Sequence, residues 1–150
     1  MGPGTLTRIP SGSRVALDTV TFIYFLERHP VFYDSAKNLF ERIEKGMIEA
    51  VASTLVLTEL LVPAFRDHLS SSAQNVFGLL THFPHLELID VNARIAYDAS
   101  RLRAESSLRT PDALHLATAL AQHADWFVTN DRALTKLRNL PLNIGLFSHA

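Results

Sequence analysis

Short apolar runs alternate along this chain with stretches of helical periodicity, and no other feature constrains its fold as much. Residues 14–18, 47–52, 86–89 and 126–129 read as buried strands. Between the first two lies a helix over 19–28, stopped by His29-Pro30 because a residue before proline is pushed out of α geometry. A second helix starts near Asp34 or Ser35, with Ala36, Leu39, Phe40 and Ile43 on one face and Gly46 as its stop. The next pair carries Leu55, Val56, Glu59, Leu60 and Val62, then residues 67–83. Pro63 removes an amide that would bond to the carbonyl of Glu59, so a bend or break is expected there.

Asn92 opens a helix with Ile95, Ala99 and Leu102 facing inward. The following start signal is the clearest in the chain: Thr110 as N-cap, Pro111 in the first turn, Asp112 facing the positive end of the helix dipole. A short helix over 131–139 and an apolar run over 142–147 complete the order β-α-α-β-α-α-β-α-α-β-α-β. Such alternation implies an α/β fold, a three-layer α/β/α arrangement around a mainly parallel sheet. Ligands of such sheets collect beyond the carboxyl ends of the strands, where strand order reverses.

With 150 residues and 47% of them hydrophobic, the chain is the size of one domain with a substantial core. We assign that domain to 14–150 and treat the Gly-, Pro- and Ser-rich opening, 1–13, as a flexible tail. No apolar run approaches the roughly 20 residues of a membrane helix, and the opening lacks the regions of a signal peptide, so the expectation is a cytoplasmic protein without membrane contact. The absence of cysteine excludes disulfides, thiolate metal sites and thiol nucleophiles. A net charge of −1 argues against binding nucleic acid through a strongly basic body. Local arginines remain, among them Arg101, Arg103, Arg109, Arg132 and Arg138.

Four acids, Asp18, Glu59, Asp112 and Asp131, fall where the alternation brings strand ends and helix starts together. A carboxylate cluster without matching lysines suits hard divalent cations such as Mg²⁺ or Mn²⁺. Asp112 and Asp131 each have an ordinary helix-capping explanation. Asp18 ends an apolar strand and Glu59 sits within 55–62, a run otherwise apolar but for Thr58, so a charge at either place is paired or functional. His115 lies one turn after Asp112, where a supporting or packing role suits it better than ligation, since no second histidine stands at ligand spacing. No G-x-S-x-G elbow and no Gly-rich phosphate loop is present.

Four stretches carry a family likeness: Val15-Ala16-Leu17-Asp18-Thr19; residues 53–61 with Glu59; residues 109–119 with Arg109, Asp112 and His115; and Val128-Thr129-Asn130-Asp131-Arg132. In that order and spacing the chain resembles the PIN-domain family of metal-dependent ribonucleases, and within it the VapC-type toxins. The resemblance implies hydrolysis of RNA phosphodiester bonds by an Mg²⁺- or Mn²⁺-dependent endoribonuclease. Its acidic set falls on Asp18, Glu59, Asp112 and Asp131, with Asp18, Asp112 and Asp131 as metal ligands and Glu59 as a ligand or a group orienting water. Thr19, Thr129 and Asn130 would support them, and Arg109 and Arg132 would touch RNA. The likeness also implies an antitoxin partner and a homodimer, with the helices around 31–43 and 55–66 as candidate surfaces. Where the family often has Asn or Ser two residues after the first Asp, this chain has Val20.

Two other functions fit parts of the pattern. A PIN-like module that binds RNA or protein without cutting would normally have lost one of the acids, and all four are here. A receiver-like phosphoacceptor domain would need an acidic pair after the first strand and a lysine near the end of the fifth, whereas the first strand supplies only Asp18 and no lysine follows Leu142.

Overall fold

The structure, a computed structural model, describes residues 5–147. Its elements run β1 (Arg14–Leu17), α1 (Thr19–Leu26), α2 (Tyr33–Glu44), β2 (Glu49–Ser53), α3 (Leu55–Arg66), α4 (Ser70–Thr81), β3 (Leu86–Ile89), α5 (Ala93–Glu105), α6 (Thr110–Ala121), β4 (Trp126–Thr129) and β5 (Asn143–Leu146). One 3-10 segment, Thr5–Arg8, precedes β1, and another, Arg132–Lys136, lies between β4 and β5. The five strands form one sheet in the order β3-β2-β1-β4-β5, and every pairing is parallel. The expected α/β/α architecture is borne out. Among the described residues no helix is long and apolar enough to cross a membrane.

Because successive strand residues point to opposite faces, each strand feeds two cores. Val15 and Leu17 of β1, with Val128 of β4, pack among Phe22, Leu39, Phe40 and Ile43 on one side. Ala16 and Phe127 face the other side, against Ala113, Leu116, Ala117 and Ala119 of α6. The small residues on that face of α6 let its backbone approach the sheet closely, which places the start of α6 over the strand ends. β1 pairs with β2 through Val15 and Ala50 and with β4 through Val15 and Trp126. Strand order therefore reverses at β1, and Asp18 directly follows it.

Three local expectations need correction. The helix carrying Glu59 does not break at Pro63 but continues to Arg66. Pro63 sits in its last turn, so one internal bond is lost, and Asp67 and Leu69 close the end by donating to the carbonyls of Pro63 and Ala64. Thr110 is the first residue of α6 and not its cap; the cap position is Arg109, and the Thr110 hydroxyl accepts from Arg103 at 2.9 Å. Residues 5–13 are no free tail. Leu6 and Ile9 are buried in the core, and the Arg42 guanidinium donates to both of their carbonyls. Gly145 makes room for this segment, since a Cβ there would stand 3.1 Å from Leu6. The rest of the expected tail, 1–4, lies outside the described residues.

Candidate active site

Asp18 is held by the two strands that meet at the reversal. Its backbone N–H donates to the Val128 carbonyl at 3.2 Å, continuing the ladder one residue past β1. Its carboxylate then turns back as the N-cap of α1, Oδ1 accepting the Val20 N–H at 3.0 Å. Oδ2 accepts the Thr129 hydroxyl at 2.6 Å. Burial pushes the Asp18 pKa up to about 6 from 3.8, and the Thr129 hydrogen bond and the His115 ring oppose that rise without cancelling it.

Asp131 caps the 3-10 segment that follows β4, Oδ1 accepting the Ala133 N–H at 2.9 Å. Its own N–H donates to the Thr129 oxygen at 3.1 Å, so Thr129 bridges Asp18 and Asp131. Asp112 lies in the first turn of α6, after Pro111, and makes no capping hydrogen bond. Burial raises its pKa first, the nearby charge of Asp131 adds to that, and His115 and Arg109 pull the other way. The capping hydrogen bonds thus belong to Asp18 and Asp131, and Asp112 keeps only its favourable place in the first turn, at the positive end of the α6 dipole.

Glu59 reaches the same place from α3. Its Oε1 accepts the Thr19 hydroxyl at 2.7 Å and lies 2.7 Å from His115 Nε2, with Thr19 Oγ1 and His115 Nε2 3.2 Å apart. The hydrogen bond from His115 holds the Glu59 pKa below its ordinary value against the desolvation that would raise it. His115 is buried on α6, so three helices, α1, α3 and α6, converge on one carboxylate oxygen. The sequence signal for this was present: a histidine inside the buried face Ala113 to Ala119, one turn from an acid, requires a polar partner.

Asp18, Thr19, Val20, Glu59, Asp112 and His115 line a cleft of about 340 Å³. Asp131 is exposed beside it. Val20, where the family often has a polar residue, lines this cleft with an apolar side chain. Asn130 turns away and donates to the Tyr24 hydroxyl at 2.9 Å, tying the β4 loop to α1. Arg109 and Arg132 are exposed on the neighbouring surface. Among the described residues neither lysine nor arginine forms an ion pair with any of the four acids. Nor do three acid or histidine side chains already converge as a coordination sphere.

The model of the PIN domain family matches residues 15–140. Among solved structures, VapBC2 from Rickettsia felis bound to a DNA fragment from its promoter shares 26% identity at a TM-score of 0.68, covering 88% of this chain and 98% of that one. DNA-bound VapBC from Salmonella typhimurium matches at 20% identity and 0.65, covering 88% and 96%. VapC20 from Mycobacterium tuberculosis, described as a Sarcin-Ricin loop cleaving toxin, matches at 14% and 0.66, covering 85% and 98%. The latter two likenesses are of fold alone. No curated protein sequence matches the chain significantly. With the family match spanning both central strands and every helix that faces the acidic cleft, the chain belongs to the PIN domain family.

Proposed function

We propose that this protein is an endoribonuclease that hydrolyses RNA phosphodiester bonds with Mg²⁺ or Mn²⁺, and that it is the toxin of a type II toxin–antitoxin pair. Its main support is the set of carboxylates at the strand-order reversal: Asp18, its pKa pushed up to about 6 by burial, and Asp112, raised by burial and by Asp131, with no paired lysine or arginine. Uncompensated negative charge on hard oxygen donors fits a divalent cation. Membership in the PIN family and the VapBC neighbours support the toxin assignment and a small antitoxin partner.

Asp18, Asp112 and Asp131 would hold the ion. When bound, such an ion lowers the pKa of water and neutralises charge developing on the phosphate. The chain's own residues do the rest. Thr129 fixes the orientation of Asp18, Glu59 orients the attacking water, and Arg109 and Arg132 contact RNA phosphates. A cytoplasmic location belongs to this reading, as the place where the RNA of such a toxin would lie.

A homodimer is part of the same proposal. The face of α3 supports it: Leu57, Leu61, Val62 and Phe65 form an apolar groove with Phe77 of α4, and Phe65 is 58% exposed. The other candidate helix, α2, turns Ala36, Leu39, Phe40 and Ile43 into its own core.

The deciding experiment incubates total RNA with the wild-type protein and with Asp112→Asn, with and without Mn²⁺. Cleavage that requires both Mn²⁺ and Asp112 is expected, and equal cleavage by the variant would overturn the site. The competing function is RNA or protein binding without cleavage. It predicts salt-dependent RNA binding with no products under either metal.

A further inference from the structure

His115 is 4% exposed, yet its two ring nitrogens are treated unequally. Nε2 lies 2.7 Å from Glu59 Oε1, whereas Nδ1 is buried without any hydrogen-bond partner. A ring whose Nδ1 carried the proton would bury an unpaired donor and set a bare Nε2 against a carboxylate oxygen. With the proton on Nε2, the ring donates to Glu59 and leaves only an acceptor lone pair unpartnered, a smaller cost. A histidine kept for packing alone gains nothing from this arrangement, because an apolar side chain would fill the same space without an orphaned nitrogen.

The second donor to the same oxygen is the Thr19 hydroxyl, at 2.7 Å. Both donors therefore go to Oε1, and among the described residues no hydrogen bond reaches Oε2. The Glu59 side chain is 35% exposed and lines the cleft with Asp18 and Asp112. One oxygen carries both contacts and the other carries none. A carboxylate held this way is a single-oxygen acceptor in a fixed orientation and is not free to chelate through both oxygens.

We propose that His115, acting with Thr19, is a positioning residue that clamps Glu59 through Oε1, so that Oε2 alone faces the substrate and orients the attacking water. The catalytic consequence rests on the nuclease function proposed above; the clamp itself does not. Thr19 directly follows Asp18, and His115 stands one turn beyond Asp112. The clamp therefore also sets the spacing between the helices that carry two of the acids.

The test compares His115→Leu, His115→Gln and Thr19→Val with wild type, each checked for its melting temperature. Glutamine places an N–H near the position of Nε2, and leucine places none. We expect His115→Leu to lower kcat for a fluorogenic RNA with Mn²⁺ by about 10- to 100-fold. KM and the calorimetric Mn²⁺ Kd should stay within about threefold, the pattern of an interaction made in the transition state. His115→Gln should recover most of the lost rate, and Thr19→Val should fall between. The proposal is overturned if His115→Leu cleaves like wild type, if His115→Gln is as slow as His115→Leu, or if Mn²⁺ affinity falls in step with kcat. Long-range ¹⁵N imidazole spectra of the wild-type protein, with His115 identified by its loss in His115→Leu, give a readout without RNA. They should show a protonated Nε2, with its signal shifted in Glu59→Ala. The opposite tautomer would overturn the clamp even if the protein cleaves RNA. A wild type that cuts no RNA but shows the expected spectrum would retain the clamp and remove the nuclease function.

Discussion

Thr129 donates its hydroxyl to Asp18 at 2.6 Å while accepting the backbone N–H of Asp131 at 3.1 Å. One side chain thus orients one acid, fixes the backbone of another, and favours the ionised form of Asp18. Thr129→Val removes that bond, so the Asp18 pKa should rise further above about 6. The acidic limb of the pH–rate profile should move to higher pH, and the Mn²⁺ Kd at pH 6.5 should increase. An unmoved acidic limb would contradict this role.

The same carboxylate makes metal-free stability depend on pH in an unusual direction. Its folded pKa, about 6, lies above the ordinary 3.8, so the folded state binds the proton more tightly. The stabilisation is complete below pH 3.8 and is lost as pH rises through 6. Ionised Asp18 should then cost about 2 to 3 kcal/mol at neutral pH. Asp18→Asn is expected to be more stable than metal-free wild type at pH 7.5, with the difference shrinking toward pH 4, in urea titrations at each pH. Glu59, whose pKa is lowered, acts in the opposite sense: it stabilises above its ordinary 4.5 and loses this as pH falls through its folded value. The comparison between variant and wild type isolates Asp18 from that contribution.

Metal should reverse the cost of ionised Asp18. At a Mn²⁺ concentration about 100 times Kd, binding to the native state alone should raise the melting temperature by on the order of 5 to 10 °C. Chelation with EDTA should remove the shift and abolish cleavage. Below pH 6 protons compete for the same oxygens, so the shift should diminish there. Asp18→Asn should lose most of it at every pH.

Leu6, expected from sequence to lie in a free tail, is 5% exposed and packs where Gly145 leaves room. Leu6→Ala should cost about 2 to 4 kcal/mol in equilibrium unfolding. A change within about 0.5 kcal/mol, the usual size for an exposed position, would mean that the segment does not hold the core.

The strands and their alternation with helices were legible because the apolar runs Val15 to Leu17 and Trp126 to Thr129 are too short to be anything else. Local bonding was harder to read. Thr110 has the composition of a cap, but whether it or Arg109 takes the extended conformation depends on the chain arriving from α5. Pro63 reads as a breaker only if its distance from the helix end is ignored. Leu6 and Ile9 sit among glycine, proline and serine, and their burial depends on Gly145 and Arg42, far away in sequence. The order of the four acids could be read directly. That Glu59 is gripped by Thr19 and His115 is a tertiary fact, recoverable from sequence only as the need of a buried histidine for a partner.

The central place of β1, between β2 and β4, orders events during synthesis. At roughly 5 to 20 residues per second, β1 leaves the ribosome several seconds before the strand that covers its second edge. Until Trp126 to Thr129 arrives, Asp18 has no Thr129 and no Asp131 beside it, and the edge of β1 offers Val15 to Leu17 for pairing with any strand that meets it. A chain stalled before that point would be prone to aggregate and would lack the complete acidic site, so the proposed nuclease activity would arise only late in synthesis.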